Sequence, residues 1–297
     1  MISPAKINLH LSILDQRADG FHNLWMLMTK ISLCDEIILE KIPTGIELVG
    51  SLPGVPLEKN LVYRATQSLL QVSDTCGVRP CGVRIHLSKK IPMGGGLGGG
   101  SSNAATVLKG CNALWGLKLP LEKLIALGTK LGADVPFFLV DGPAQVEGIG
   151  DCITPLENFP KLWIILINPC VAVPTPWAYS AWDTRKCQAP LGPLPQREPG
   201  TFSKGLTVEN RSVRCPRTFE EVVQVLHNDF EAVVVPKYPE IARAQKVLRE
   251  VGASGVLMSG SGSTVFGLFE TKRERDEAFE KLPKIKNWQV WAVENIR

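Results

Sequence analysis

Residues 91–105 read I-P-M-G-G-G-L-G-G-G-S-S-N-A-A, with glycine at six of the seven positions 94–100. Glycine loses more backbone freedom on folding than any other residue, so such a run destabilises the chain unless the structure requires it. Three interpretations compete: a flexible linker, a dinucleotide-binding fingerprint, and a cradle of backbone amides for phosphate. The sequence on either side of the run helps to decide among them.

The flanking segments predict regular structure on both sides of the run. V-R-I-H-L at 83–87 alternates in the manner of a β-strand. After the run, apolar residues recur every three or four positions and predict a helix from near Ser101 to before Gly116; they are Ala104, Val107, Leu108, Cys111 and Leu114. A flexible linker is polar and separates domains, whereas this run is fixed at both ends. The linker interpretation is therefore disfavoured.

Gly94, Gly96 and Gly99 satisfy the spacing G-x-G-x-x-G, but a Rossmann unit also needs an acidic residue about 20 positions later, after a second parallel strand. That region is a helix end followed by W-G-L-K-L-P, and no Gly-Lys-Ser/Thr follows the glycines as in a Walker A loop. A phosphate cradle remains, because glycine amides can point inward and the next helix adds free N–H groups and a positive dipole end. Ser101, Ser102 and Asn103 can form further hydrogen bonds to the phosphate.

The alternation of helical and strand patterns predicts an α+β fold with an N-terminal lobe over 1–155 and a C-terminal lobe over 156–297. Strands in the first lobe are predicted at 5–13, 24–33 and 36–40, with P-T-G at 43–45 as a hairpin turn. One helix is predicted from Asn60, and another over 121–131 that Gly132 ends in the usual C-terminal position.

In the second lobe, residues 184–217 are rich in Pro, Gly, Arg and Lys and lack apolar periodicity, which predicts a mobile surface insertion. T-F-E-E at 218–221 has the pattern of a capping box at a helix start. Further helices are predicted at 239–250 and 273–281, and strands at G-V-L-M-S, T-V-F-G-L-F and W-Q-V-W-A-V.

The composition is that of an ordinary globular protein, with 44% hydrophobic and 21% charged residues and a net charge of +4. No basic cluster accompanies a groove-reading motif, so no nucleic-acid partner is expected. The absence of a signal peptide and of an apolar run of about 18 residues predicts a cytoplasmic protein without membrane spans. Eight cysteines without C-x-x-C pairs or ligand spacing to the four histidines favour free, buried thiols over disulfides or zinc.

Phosphoryl transfer needs a group that accepts the proton of the substrate hydroxyl and charge that offsets the phosphates. Asp134, in L-G-A-D-V-P-F-F, is a candidate base, although Asp followed by early Pro is also a common helix N-cap. Lys6 lies in the strand P-A-K-I-N-L-H-L, where Lys6, Asn8 and His10 are predicted to share one face. Either a solvated strand face or a phosphate-binding face fits this pattern.

Two loops are further candidates. His22, in R-A-D-G-F-H, is either incidental or reads the edge of a base on which Phe21 stacks. S-G-S-G-S-T at 259–264 joins two predicted strands. It is either a tight hairpin turn or a second amide-rich loop beside the first.

Three of these motifs together resemble the kinase superfamily that includes galactokinase, homoserine kinase, mevalonate kinase and phosphomevalonate kinase. They are P-A-K-I-N-L-H-L at 4–11, P-M-G-G-G-L-G-G-G-S-S-N-A-A at 92–105 and S-G-S-G-S-T at 259–264. Within it, the chain is similar to the members that act on 4-diphosphocytidyl-2-C-methyl-D-erythritol in the non-mevalonate isoprenoid pathway. The motifs that carry this second similarity are R-A-D-G-F-H-N-L at 17–24, G-A-D-V-P-F-F at 132–138, G-I-G-D at 148–151 and N-D-F-E at 228–231.

The resemblance implies a ribosomal-S5-like N-terminal lobe, a ferredoxin-like C-terminal lobe and a site between them. It implies ATP with Mg²⁺ as phosphoryl donor and the 2-hydroxyl of a cytidine diphosphate-linked sugar alcohol as acceptor, in a monomer or weak homodimer. Asp134 would be the general base and Lys6 the orienting, charge-stabilising residue. No metal-ligating residue is identified.

The resemblance also assigns binding roles. Asn8 would contact the erythritol part, His22 would hydrogen-bond the cytosine edge, and Phe21 and Tyr179 would sandwich the cytosine ring. Asn60 and Leu61 would lie near the adenine. The residues implied at the ATP phosphates are Pro92, Gly94, Gly95, Gly96, Leu97, Gly98, Gly99, Gly100, Ser101 and Ser102.

Three features depart from the family pattern: Phe21 replaces a usual Tyr, Met28 occupies a position that is often aromatic, and 184–217 is an unusual insertion. A homoserine- or mevalonate-type kinase is one rival function, but those substrates carry no base for the D-G-F-H loop to read. A non-catalytic nucleotide sensor is the other, but a sensor needs neither Lys6 nor Asp134.

Overall fold

The structure, a computed structural model, describes residues 1–50, 56–75, 81–188 and 215–296. Its strands are β1 (Ile2–Gln16), β2 (His22–Ile42), β3 (Ile46–Val49), β4 (Gly82–Ser88), β5 (Ala144–Gly148), β6 (Cys152–Pro155), β7 (Trp163–Asn168), β8 (His227–Asn228), β9 (Gly255–Met258), β10 (Val265–Phe269) and β11 (Gln289–Ile296). Its helices are α1 (Leu61–Thr75), α2 (Gly99–Leu114), α3 (Leu121–Leu131), α4 (Val135–Leu139), α5 (Thr175–Gln188), α6 (Phe219–Gln224), α7 (Glu231–Lys237), α8 (Pro239–Glu250) and α9 (Lys272–Glu280). The predicted α+β class is confirmed.

The N-terminal sheet is built on β2, a single strand where two were predicted at 24–33 and 36–40. Asp35, at the polar interruption, still pairs with Ser3 of β1, and a register shift lies between Pro4 and Ala5. The interruption in the apolar pattern is therefore a β-bulge and not a turn.

The P-T-G turn at 43–45 does not close a hairpin, contrary to the prediction. β4 pairs antiparallel with β2 and parallel with β3, so it lies between the two strands that flank the turn. Turn residues predict that the chain reverses direction, but they do not determine which strand fills the place beside β2.

A second β-bulge, between Asn8 and His10, changes the face that the β1 side chains present. The Asn8 Nδ2 lies 3.5 Å from Sδ of Met26, whereas the His10 ring packs edge-on against Trp25 with 4.6 Å between centroids. Neighbouring residues of a strand face opposite sides. The prediction that Lys6, Asn8 and His10 share one face is therefore wrong for His10.

The helix predictions are largely confirmed, including the capping box at Thr218, whose hydroxyl accepts the Glu221 N–H. Gly132 ends α3 as predicted, but its φ of 174° is extended backbone and not the left-handed conformation of a glycine cap. Helix α5 runs to Gln188, so the predicted insertion begins later than 184. Residues 189–214 of that insertion lie outside the described residues.

In the C-terminal lobe, β11, β7, β10 and β9 form an antiparallel sheet in that order. Two ladder pairs, Asn295 with Ile31 and Ile296 with Lys30, join β11 to β2 and make the sheet continuous between the lobes. The division at residue 155 remains a prediction.

None of the helices in the described ranges is long and apolar enough to cross a membrane. The six cysteines whose side chains the structure describes are all free thiols. Cys111 is buried as expected, whereas Cys152 and Cys170 are exposed, so the expectation of burial is wrong for those two.

Candidate active site

The glycine run forms a loop that leads into α2, with Gly98 as the N-cap residue. The loop is held on two sides, since the Lys6 N–H donates to the Leu97 carbonyl at 3.0 Å and the Thr264 N–H donates to the Gly95 carbonyl at 3.2 Å. The first amides of a helix have no intrahelical acceptor. The N-terminus of α2 therefore presents free N–H donors beside this loop, as an anion site requires.

Gly96 and Gly98 are two of the loop positions at which glycine is required. Gly96 has φ +75°, and a Cβ there would collide with the Ser259 carbonyl oxygen. Gly98 has φ +67°, and a Cβ would lie 3.0 Å from the Lys6 side chain and from the Phe138 ring. The glycines thus allow the loop to approach both the catalytic candidates and the neighbouring loop.

The segment S-G-S-G-S-T at 259–264 packs against the glycine loop. The Ser259 hydroxyl donates to the Gly96 carbonyl at 3.0 Å and accepts the Asn8 N–H at 3.3 Å. Thr264 adds the backbone bond to Gly95, and its hydroxyl accepts from Asn168 at 3.1 Å. The segment is therefore the second loop beside the first that the sequence left open, although it also joins β9 to β10.

Lys6 and Asp134 meet beside the glycine loop, with 3.6 Å between Nζ and Oδ2. The ammonium also donates to Oδ1 of Asn8 at 2.5 Å. Lys6 is 4% exposed, whereas the Asp134 side chain is 32% exposed, so the carboxylate is open to a substrate and the ammonium lies behind it. The interpretation of these β1 side chains as a solvated face is wrong.

Asp134 occupies the N-cap position of α4, but its carboxylate accepts no capping hydrogen bond. The carboxylate is therefore free to contact a ligand instead of capping the helix. At the other end of α4, the buried Lys30 donates to the Val140 carbonyl, and burial lowers the pKa of Lys30 to about 8. Behind Asp134, Gly150 of the G-I-G-D motif approaches the Ala133 carbonyl so closely that a Cβ would clash.

His22 and Tyr179 lie together, with stacked rings 5.0 Å apart. The His22 Nε2 lies 2.8 Å from Oδ1 of Asp183, which stands one turn after Tyr179 on α5. Burial, and secondarily the charge of Asp134, raise the pKa of Tyr179 to about 12, so this ring also lies close to the candidate base. Phe21 is 63% exposed.

The remaining candidates adjoin these groups. The Asn60 Oδ1 accepts the Val62 N–H at 2.9 Å at the start of α1, and the Leu61 side chain would be 3.6 Å from a Cβ on Gly100. Ser102 is buried and accepts a hydrogen bond from Ser3 at 2.8 Å. Met28 is fully buried in the apolar core.

Sequence reasoning missed a buried polar network beneath the loop. Asp35 is fully buried, and its carboxylate accepts from the backbone amides of Lys90 and Ile91 at 2.7 and 2.9 Å. Asn103 donates to it at 2.9 Å, and Lys89 forms an ion pair with it. The network ties the entrance of the glycine loop to β2 and α2. Neither Asp183 nor Asp35 belongs to a local motif, so the sequence alone does not identify either one.

Within the ranges that the structure describes, no three or more His, Cys, Asp or Glu side chains form a group that could hold a metal ion. The polar features that converge are instead amide donors, one ammonium and one carboxylate. That combination suits the binding of an anion next to a group that accepts a proton.

The fold and this arrangement define a small-molecule kinase. The chain matches two families, described as GHMP kinases N terminal domain over residues 60–142 and GHMP kinases C terminal over residues 209–286. A homoserine kinase from Cytophaga hutchinsonii shares the fold, with a TM-score of 0.65 at 21% identity over 99% of this chain and 93% of that one.

Nearer relatives give the particular family. The chain is 41% identical to a 4-diphosphocytidyl-2-C-methyl-D-erythritol kinase from Citrifermentans bemidjiense, over 100% of this chain and 98% of the relative. It is 42% identical to one from Geobacter sulfurreducens, over 99% and 98%. A crystal structure of 4-(cytidine 5'-diphospho)-2C-methyl-D-erythritol kinase has a TM-score of 0.77 at 34% identity, over 100% and 99%. The chain belongs to the 4-diphosphocytidyl-2-C-methyl-D-erythritol kinase family of GHMP kinases.

Proposed function

We propose that this chain transfers the γ-phosphoryl group of ATP to the 2-hydroxyl of 4-diphosphocytidyl-2-C-methyl-D-erythritol, in the non-mevalonate route to isoprenoid precursors. The observation that carries the proposal is the 3.6 Å Lys6–Asp134 pair beside the glycine loop. The names of the relatives, at about two-fifths identity along the whole chain, support the substrate.

In the proposed reaction, the donor phosphates lie over residues 94–102 and the N-terminus of α2, and the adenine lies near Asn60 and Leu61. Mg²⁺ enters as part of the Mg·ATP substrate. Free amides and the positive helix end stabilise the negative charge of the phosphates. Pro92 fixes the direction in which the chain enters this loop.

Transfer is direct and in line, without a phosphoenzyme. Asp134 accepts the hydroxyl proton while the hydroxyl oxygen forms a bond to the γ-phosphorus and the bond to the ADP oxygen breaks. Lys6 orients the hydroxyl and offsets the developing charge, and Asn8, which accepts from the Lys6 ammonium, contacts the erythritol part. The Asp134 carboxylate is partly exposed and the Lys6 ammonium is buried. This difference supports a substrate hydroxyl that approaches Asp134 from solvent while Lys6 acts from the interior.

The cytidine end is proposed to lie at His22, Tyr179 and Phe21. A carboxylate only accepts hydrogen bonds, so His22 donates to Asp183 through Nε2, and in the tautomer with its proton on Nε2 the Nδ1 atom is an acceptor. The exocyclic amine of cytosine is a donor of the matching kind. The exposed Phe21 then closes over the base beside Tyr179.

A substrate panel tests the assignment. Purified protein with Mg·ATP is given the cytidine substrate, homoserine or mevalonate, and ADP release and ³¹P NMR of the products are measured. We expect turnover with the cytidine substrate alone and a new phosphomonoester on C2. Phosphorylation of homoserine or mevalonate in its place would identify a different kinase of the superfamily. ATP binding without any turnover would indicate a nucleotide sensor. We further expect a cytoplasmic monomer or weak homodimer.

A further inference from the structure

The N-D-F-E motif at 228–231 has no role in the reaction as described so far. Its first residue, Asn228, is 5% exposed and fully hydrogen-bonded. Its Nδ2 donates to the Met258 carbonyl at 2.7 Å and to the Gly260 carbonyl at 2.8 Å. Its Oδ1 accepts the Phe230 N–H at 3.0 Å. One carboxamide thus holds the backbone on both sides of Ser259.

Ser259 of the second loop contacts both β1 and the glycine loop through its side chain. Its hydroxyl accepts the N–H of Asn8 on β1 and donates to the Gly96 carbonyl in the glycine loop. A Cβ on Gly260 would lie 3.5 Å from the Lys6 ammonium and from Oδ1 of Asn8. Ser259 therefore braces the strand that carries Lys6 against the loop for the donor phosphates, in addition to the direct bond from the Lys6 N–H to the Leu97 carbonyl.

Asp229 and Glu231 of the motif bond to β1 and to the strand that leads into the second loop, respectively. The Asp229 N–H donates to the Leu11 carbonyl at 3.0 Å, and its carboxylate accepts the Ile13 N–H at 2.6 Å, so the motif is fixed to β1. The Glu231 carboxylate accepts the Met258 N–H at 2.7 Å, which fixes the motif to β9. The segment is thus a rigid connection between β1 and the second loop.

We propose that Asn228 is a positioning residue for phosphoryl transfer, which holds Ser259 in place and thereby fixes Lys6 and Asn8 relative to the glycine loop. This inference rests on the proposed function. Loss of the two hydrogen bonds that Asn228 Nδ2 donates to Met258 and Gly260 frees Ser259 without removing any group that contacts cytidine. The effect falls on kcat, because a displacement of about 1 Å in a reacting group lowers a rate about a hundredfold.

The test compares N228A, N228D and T271A. N228A removes both donors, and we expect kcat to fall about 10- to 100-fold while KM for the cytidine substrate stays within about threefold. N228D keeps the shape and the acceptor for Phe230 but points a carboxylate at two carbonyl oxygens. A protonated carboxyl can donate to one of them, so the N228D to wild-type ratio of kcat should rise as pH falls. Wild-type Asn228 does not titrate.

T271A is the matched control, because it removes the capping box of α9, where Thr271 accepts from Glu274, and touches no site residue. It should keep wild-type kcat. Hydrogen exchange of residues 256–264 in the free protein should be faster in N228A than in T271A. Wild-type kcat in N228A, a loss confined to KM, or an equal loss in T271A would overturn the inference. Wild-type protein that does not turn over the cytidine substrate overturns the proposed function instead, whatever the exchange shows.

Discussion

The buried ammonium of Lys6 lies 3.6 Å from the carboxylate of Asp134, and Asn8 accepts a hydrogen bond from the same ammonium. Lys6 comes from β1 and Asp134 from the N-cap of α4, and the glycine loop passes between these elements. In the proposed mechanism, the pair therefore joins a proton acceptor to a fixed positive charge beside the loop that holds the donor phosphates. The proposed chemistry depends on this relationship.

Replacing Lys6 by Met tests the positive charge while keeping the length of the side chain. The variant loses the ion pair and the bond to Asn8, so we expect kcat to fall by roughly 10²- to 10³-fold. The control is K109M, which removes a partly exposed lysine that pairs with the exposed Asp141. In steady-state kinetics with the cytidine substrate, K109M should have a kcat near that of the wild type. A kcat of K6M within twofold of the wild type would contradict the charge-stabilising role of Lys6.

Replacing His22 by Ala should act on the acceptor substrate and not on ATP. Loss of the hydrogen bond to His22 leaves the cytosine amine unpaired, which costs about 1–3 kcal/mol and corresponds to roughly 5- to 150-fold in KM for the cytidine substrate. KM for ATP should stay within about twofold. D183N should give a smaller effect in the same direction, because Asp183 holds the histidine proton. An equal loss for both substrates would place His22 outside the cytidine site.

The close approach of the two loops makes Gly96 intolerant of a side chain. G96A adds left-handed backbone strain and a clash with the Ser259 carbonyl, so we expect the free energy of unfolding to fall by roughly 2–4 kcal/mol. Gly116 has a similar φ of +64° but open space around its Cβ position. G116A should cost only about 1 kcal/mol in the same denaturation experiment. Equal losses would show that the loops do not constrain each other.

His10 gives a pH-dependent stability. Burial is the main reason that its pKa is lowered from 6.5 to about 4, and nearby His227 acts in the same direction, whereas the Val225 carbonyl and Asp229 oppose it. The unfolded chain therefore binds a proton between pH 6.5 and 4 that the folded chain excludes, and stability falls as pH falls through this window. Below this window, protonation of His10 in the unfolded chain lowers the free energy of unfolding by roughly 3 kcal/mol. Urea denaturation at several pH values should show a weaker dependence for H10Q. The same slope in both proteins would contradict this assignment.

The parts of the site that could be predicted are those in which one short segment carries the information. The glycine loop, Lys6 and Asp134 each belong to a motif in which spacing limits the possible chemistry. The partners of these residues depend on distant strands. Nothing local shows that Asp183 faces His22, or that Ser259 joins β1 to the loop.

The β-strands were harder to predict for a related reason. Period-two alternation placed His10 beside Asn8, but one bulge turned it toward Trp25. A bulge is stabilised by the partner strand as well as by its own sequence, so alternation alone does not reveal it. The short strand β8 has only two residues and leaves no periodic pattern, although it carries Asn228.

The role of Asp134 is tested most directly by single-turnover kinetics of D134N, with Mg·ATP and the cytidine substrate at saturating concentrations. Asparagine keeps the shape but cannot accept the proton, so we predict a fall in the rate of phosphoryl transfer of at least about 10³-fold. ATP affinity should stay within about threefold of wild type. D141N, which alters an exposed carboxylate just beyond α4, is the control and should react at the wild-type rate. Transfer by D134N within tenfold of the wild-type rate would contradict the proposed mechanism.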